Sequence, residues 1–197
     1  MLSVDFFIII IIILICIVSY RLYITSDFFQ LKCIISDVDG TKYCVRERSK
    51  LKGAADKLAT VNNNMKQLVQ YCKTAFPNDE RVQRLVTGFN PKQIVEVLPT
   101  SEYTAYSENK GEKLAFCLSK EKGNKNNLID INTLTFVAIH ELSHVCTVSI
   151  GHTPEFWNNF KFLLIQAKKI NIYNPVNYDK EPVRYCSMEI THNPYYA

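Results

Sequence analysis

The sequence predicts an α+β domain with a small mixed sheet, preceded by one N-terminal transmembrane helix. Three observations predict it. An uncharged apolar run, FFIIIIIILICIVSY, fills positions 6–20. Stretches of helical periodicity alternate with short β-like segments through the rest of the chain. Three of the four histidines fall within one stretch, FVAIHELSHVCTVSIGHTPEFW, at 136–157. With 197 residues and a formal charge of +4, the chain has room for one domain and an appendage. Roughly 150 residues suffice to bury a core without staples.

The apolar run is extended by Arg21, whose head can snorkel, and by the LYI that follows. Together they give about 19 residues, the length a bilayer requires. A cleaved signal peptide would show a positive start and a small-residue cleavage site. Here the early charge is Asp5, and RLYITSDFFQLK comes next. A buried core helix is disfavoured because consecutive isoleucines leave no polar face. The reading is a retained anchor over 1–24, a juxtamembrane segment over 25–37 and the main domain over 38–197. Tyr20 and Tyr23 fall where amphipathic rings meet the membrane interface. Arg21, Lys32, Lys42, Arg46 and Arg48 all lie after the run. The positive-inside rule therefore places the domain on the cytosolic side, with the lipid bilayer as a partner.

DVDGTKYCVRE reads as a hairpin or strand leading into a helix. In SKLKGAADKLATVNNNMKQLVQYCKTAF, the residues Leu51, Ala55, Leu58, Val61, Met65, Leu68 and Cys72 recur at helical spacing, and Pro77 ends the pattern. DERVQRLVTGF is a second, shorter helix closed near Gly88. QIVEVLP is a strand stopped by Pro99, and EYTAYSENKGEKLAFCLS is two strand segments around an ENKGEK turn. KEKGNKNN is a loop. A helix then starts near Asp130 or Asn132, either of which can cap it. Gly151 breaks that helix, and another begins with Thr153 as N-cap, Pro154 at its first position and Glu155 complementing the dipole. The tail, NYDKEPVRYCSMEITHNPYYA, is polar and aromatic.

Cys33, Cys44, Cys72, Cys117, Cys146 and Cys186 are widely spaced, with no C-x-x-C pair. That excludes a Cys-rich zinc knuckle. Disulfides and buried thiols both remain open, AFCLS and HVCTV being apolar settings in which a thiol packs as a small hydrophobe. The basic stretches KYCVRERSKLK and SKEKGNK read as solvated faces or loops. Scattered basic residues do not make the banded footprint of a nucleic-acid binder.

Residues four apart on a helix project from one face. His140 and His144 can thus reach one ion, with Glu141 beside them, angled toward the ion's water. This is why H-E-x-x-H works chemically: zinc lowers the pKa of water toward 7, and the glutamate accepts its proton. A third ligand leaves the fourth position open. His152 is the leading candidate, since Gly151 lets the chain turn and a capped helix follows. His192 and Glu155 are the alternatives for that position. Three imidazoles suit Zn2+ best among common metals. An intact Glu141 favours a hydrolase acting on protein or peptide over an inactive, membrane-tethered zinc-binding structural protein, which needs no base. Tyr185, His192 or Tyr195 from the tail is a candidate oxyanion stabiliser.

HELSH followed by GHTPEFW resembles the WLM and SprT-like (Spartan-type) group of small zincin metalloproteases. GTKYCVRERSKLKGAADKLATV is similar to the start of such domains, and the resemblance covers about residues 38–167. It implies a zincin-like domain with His140, His144 and His152 as zinc ligands and Glu141 as the catalytic base. It also implies that EKLAFCLS is the strand that lies along the cleft and pairs with the substrate backbone. The chain departs from the crosslink-repair members in lacking a zinc ribbon, a clamp-binding motif and a basic DNA-binding tail. WLM-like domains also occur in large DNA viruses, and a short, anchored, Ile- and Asn-rich chain fits that origin.

Overall fold

A computed structural model describes residues 4–124 and 126–197. Residues 1–3 of the expected anchor and Lys125 of the expected loop lie outside the described residues. The N-terminal helix α1 spans Val4–Thr25, and its stretch Phe6–Thr25 is long and apolar enough to cross a membrane. None of that stretch is buried against the rest of the chain, so it is not a core helix of this domain. A four-residue helix, α2 (Asp27–Gln30), leads straight into strand β1 (Leu31–Ile35). Part of the stretch read as juxtamembrane is therefore the edge of the sheet.

The sheet has five strands: β1, β2 (Lys42–Arg46), β3 (Ile94–Glu96), β4 (Ala105–Glu108) and β5 (Lys113–Phe116), in the order β1-β2-β3-β5-β4. The outer pairs β1/β2 and β5/β4 are antiparallel, and the inner pairs β2/β3 and β3/β5 are parallel. Two helices, α3 (Leu51–Ala75) and α4 (Glu80–Gly88), make the crossover from β2 to β3. The expected periodicity of α3 is realised: Ala55, Leu58, Val61, Met65, Leu68 and Cys72 are all buried. Each large side chain so buried contributes about 1.5–3 kcal/mol.

Helix α5 (Ile131–Cys146) is capped by Asp130, whose side chain accepts from the Thr133 amide. It packs against α3, α4, β4, β5 and α6 (Pro154–Lys169). Twelve of its sixteen residues are buried, which explains why its sequence is apolar nearly all round. Thr153 caps α6 by accepting from the Phe156 amide, with Pro154 in the first turn. The tail carries a hairpin that its polar composition did not announce, β6 (Val183–Tyr185) and β7 (Met188–Ile190).

Two glycines set how closely α4 approaches the β4–β5 turn. A Cβ on Gly88 would lie 2.5 Å from the Lys110 carbonyl oxygen and 2.7 Å from a Val145 methyl. Gly111, at φ +106°, faces Gly88 in the same contact. Both positions therefore require the absence of a side chain.

The stretch KYCVRERSKLK is not a solvated face. Tyr43, Val45, Arg46 and Arg48 are buried, because Glu96 of β3 is buried beside them. Arg46 Nε donates to Glu96 Oε1 at 2.8 Å, and the Arg46 amide donates to Oε2 at 2.7 Å. The Arg48 guanidinium pairs with both oxygens. Arg46 also donates to the Lys122 carbonyl at 3.0 Å, tying the sheet to the loop after β5.

The cysteines divide. Cys33–Cys44 and Cys117–Cys186 are disulfides, and Cys72 and Cys146 are buried free thiols. Burial pushes both thiols up to about 12, so they pack without reacting. Cys117–Cys186 ties the end of β5 to the tail hairpin. Replacing both partners by serine is expected to lower stability by about 2–4 kcal/mol, read as the urea midpoint of the oxidised proteins.

Candidate metal centre

Helix α5 sets His140 and His144 one turn apart, with ring centroids 5.0 Å from each other. The turn after the helix brings back the third histidine. Gly151 takes φ +83° there, a conformation that Gly adopts without strain. His152 then lies with its ring centroid 4.9 Å from His140 and 5.0 Å from His144. Nε2 of His152 is 3.1 Å from Nε2 of His140. One ligand nitrogen from each ring falls within 4.8 Å of the others. Nitrogens bound tetrahedrally at about 2.0–2.1 Å would be roughly 3.3 Å apart, so the cluster fits a single ion with little movement.

The donor chemistry fits as well. Burial, with help from the neighbouring histidines, lowers His140 to about 3. Burial, then His152 and Lys110, lowers His144 to about 4. Both rings are therefore neutral at physiological pH, the state in which imidazole ligates a metal. Glu141 is buried at the floor of the same cavity, and burial raises its carboxyl to about 8. Protonated, it cannot serve as a base. A divalent cation beside it reverses that preference, so the group needs the ion to be ionised at neutral pH.

This charge pattern fixes a pH dependence for the metal-free protein. The two histidines titrate near 6.5 when unfolded and near 3 and 4 when folded. Between those values the unfolded chain binds more protons, so stability falls as pH drops from about 6.5 toward 4. Glu141 acts in the opposite direction. Its folded value near 8 exceeds the ordinary 4.5, so its contribution is complete below 4.5 and is lost as pH rises through 8. Thermal melts across this range should show decline at both ends, and zinc should reduce the decline at the alkaline end.

The imidazoles are oriented from below by α6. Phe156 is fully buried and touches all three rings, with centroids at 4.9 Å from His140, 4.3 Å from His144 and 4.7 Å from His152. The sequence places Phe156 on the apolar face of a helix, but its contact with the ligands depends on how α6 folds back. Phe156→Leu is expected to weaken zinc binding by about tenfold or more, measured by competition with a chelating dye.

Two further residues hold the loop that carries His152. Glu155 accepts from the Val148 amide at 3.0 Å, the Ser149 amide at 3.1 Å and the Ser149 hydroxyl at 2.8 Å. These bonds lower its carboxyl to about 2. Glu155 is thus a brace for the loop and not a member of the histidine cluster. Lys110, which the sequence reading passed over, donates to the carbonyls of Thr147 at 2.7 Å and Ser149 at 3.2 Å. It closes the C-terminal end of α5, where a cation is favoured. No sequence signal marks it beyond its place in a Gly turn.

The cavity has a volume of about 1330 Å3 and is walled by β4, α5, the loop at 97–104 and the tail hairpin. Strand β4 is the free edge of the sheet, and β5 lies inside it between β3 and β4. EKLAFCLS is therefore not the strand along the cleft. That place belongs to Ala105–Glu108, because the ENKGEK turn folds the earlier segment outward.

The tail candidates separate. Tyr185 borders the cavity, is buried, and donates its hydroxyl to the Thr104 carbonyl at 3.2 Å. Burial, then the charge of Glu141, raises its phenol. His192 also borders the cavity, with its ring 5.8 Å from Trp157 and Nδ1 3.5 Å from Asp179. Tyr195 is not in the cavity wall, and its hydroxyl accepts from Lys168 at 2.9 Å. Asn193 causes this by donating to the Tyr173 hydroxyl and the Val176 carbonyl, which turns the chain away.

No family model matches the chain. It is 28% identical over 159 residues to an uncharacterized protein of Acanthamoeba polyphaga mimivirus, covering 79% of this chain and 80% of that one. It is 30% identical over 116 residues to an uncharacterized protein of Invertebrate iridescent virus 6, and 34% identical over 102 residues to one of Invertebrate iridescent virus 3. These matches span 63% and 57% of the two iridescent virus proteins. Among solved structures, the chain is similar to Wss1 from Saccharomyces cerevisiae, with a TM-score of 0.47 and 17% identity over 65% of this chain and 88% of that one. A Wss1 mutant gives a TM-score of 0.46 and 16% identity, over 65% of this chain and 89% of that one.

Proposed function

We propose that the chain is a membrane-anchored zinc metallopeptidase of WLM/SprT-like type, encoded by a virus. The observation that carries this reading is the buried carboxyl of Glu141 beside three converging imidazoles, all facing one large open cavity. A structural zinc site is closed by four protein ligands and needs no base. A three-histidine site with an adjacent buried carboxyl is the arrangement that hydrolysis requires, so the inactive-scaffold alternative is the weaker one.

His140, His144 and His152 would hold the ion. When bound, Zn2+ supplies Lewis acidity that acidifies water and polarises a carbonyl. Glu141 accepts the proton of the attacking water on its carboxylate and returns it to the departing amine. The unpaired edge of β4 offers main-chain groups to an extended substrate, which would add as a further strand. His192 is the preferred oxyanion donor, since the Tyr185 hydroxyl must first release Thr104. The cavity exceeds the usual range of small-molecule sites, about 300–1,000 Å3, and suits a peptide.

The reading places the domain on the oxidising face of the membrane, opposite to the side favoured by the Lys and Arg bias. That bias amounts to a few charges, whereas two disulfides are disfavoured in a reducing compartment. Maleimide labelling of denatured, unreduced protein from cells should then reach three thiols, Cys16, Cys72 and Cys146.

The test is metal content joined to hydrolysis. Purified full-length protein should carry one zinc and cut an unfolded polypeptide, lose activity to a chelator and regain it with zinc. Full zinc occupancy with no cleavage of any unfolded polypeptide would overturn the assignment.

A further inference from the structure

The end of the membrane helix and the candidate active site share one cavity. Thr25, the last residue of α1, lies in the same wall as His140, Glu141, His144 and His152. The contact is a bonded one: the Thr100 hydroxyl donates to the Ile24 carbonyl at 3.0 Å. Thr100 belongs to the loop at 97–104, which runs from β3 to the cleft strand β4. That loop is fixed at its other side, where the Val97 amide donates to the Phe116 carbonyl at 3.0 Å and Lys122 reaches the Ser101 carbonyl. The helix end is thus built onto the wall of the cleft.

The linkage is also short. Only residues 26–30 separate α1 from β1, and four of them form α2. At about 1.5 Å per helical residue, the connection spans on the order of 10 Å. A domain so attached cannot swing its cleft far from the bilayer surface. Several exposed side chains on the surface that would meet it are apolar. Phe28 and Phe29 are exposed beside the helix end, Phe28 by 84%. Around the cavity, Tyr103, Met188 and Ile150 are exposed, Ile150 by 91%. Isolated exposed hydrophobes carry no message, but Tyr103, Met188 and Ile150 rim one opening, and Phe28 and Phe29 follow a helix long and apolar enough to span a bilayer, where aromatic and apolar side chains meet the headgroup layer.

We infer that the cleft is built for the membrane-proximal segment of another membrane-inserted polypeptide, an extended stretch within a few residues of its span. This inference rests on the metallopeptidase reading and narrows its substrate class. A chain emerging beside α1 passes Thr25 and the apolar rim before it reaches the edge of β4. A distant segment has to bend back to the bilayer surface to enter the same cleft.

The experiment uses the full-length protein in phosphatidylcholine vesicles, retained after alkaline extraction. Two single-span reporters are incorporated with it in the same orientation. Both carry one extended peptide, placed directly after the span in the first and beyond a long Gly/Ser spacer in the second. The proximal reporter should be cut roughly tenfold faster or more, since a flexible spacer dilutes the peptide near the cleft, and Glu141→Gln should abolish both cuts. Equal or faster cutting of the distal reporter would overturn the inference while leaving the peptidase reading intact. Cleavage of a soluble unfolded peptide with neither reporter cut would do the same. Release of the protein by alkaline extraction would overturn it too. Failure to cut any of the three substrates would overturn both readings.

Discussion

Glu141→Gln should leave the fold and the zinc content unchanged and lower peptide hydrolysis by about 10²–10⁴-fold. The change is nearly isosteric and keeps the side chain in its buried place on α5. It removes only the ability to accept a proton. Because burial already favours the uncharged carboxyl at this position, a neutral amide should be tolerated, and the metal-free variant should be as stable as the parent or nearly so below about pH 4.5. From there to about pH 8 the variant should become progressively the more stable of the two, since the unfolded parent ionises Glu141 while burial holds the folded carboxyl neutral. Paired measurements of zinc content, thermal melting and turnover separate these outcomes. Loss of zinc together with activity would make Glu141 part of the ligand set and not a base.

The largest effect on stability is expected far from the metal centre. Glu96 is fully buried and carries the partners of both Arg46 and Arg48. Glu96→Ala would leave two buried guanidinium groups without their counter-charge, which costs about 3–5 kcal/mol. For a domain of this size that is on the order of 10 °C in Tm. A control distinguishes charge from packing: replacing Glu96, Arg46 and Arg48 together by apolar residues of similar volume should cost far less, because no uncompensated charge then remains. Urea unfolding of the two proteins under the same redox conditions makes the comparison.

What could be read from the sequence depends on the range of the forces involved. Helix α3 was legible because its buried positions repeat along one segment, and α6 because Thr153 and Pro154 mark its start locally. The ligand pair on α5 was legible for the same reason, since one helical turn fixes His140 against His144. The placement of Tyr195, the internal position of β5 and the buried pairing of Arg46 and Arg48 with Glu96 depend on contacts between distant segments, and no local pattern encodes those. A Lys- and Arg-rich stretch looks solvated until its acidic partner, some fifty residues away, is brought beside it. Phe156 is the intermediate case. Its burial followed from periodicity, but its role under the three imidazoles followed only from the path of the chain after Gly151.

The disulfide between Cys117 and Cys186 closes a ring of chain that contains His140, Glu141, His144 and His152. A break anywhere between 118 and 185, including one the protein makes in itself, therefore produces no separate fragments while that bond is intact. On an unreduced gel a nicked molecule keeps its full mass, and only a thiol reductant would reveal the cut. Assays for self-processing have to be run in both forms, and a molecule nicked outside its helices would persist as a two-chain species with its histidines still held in one covalent loop.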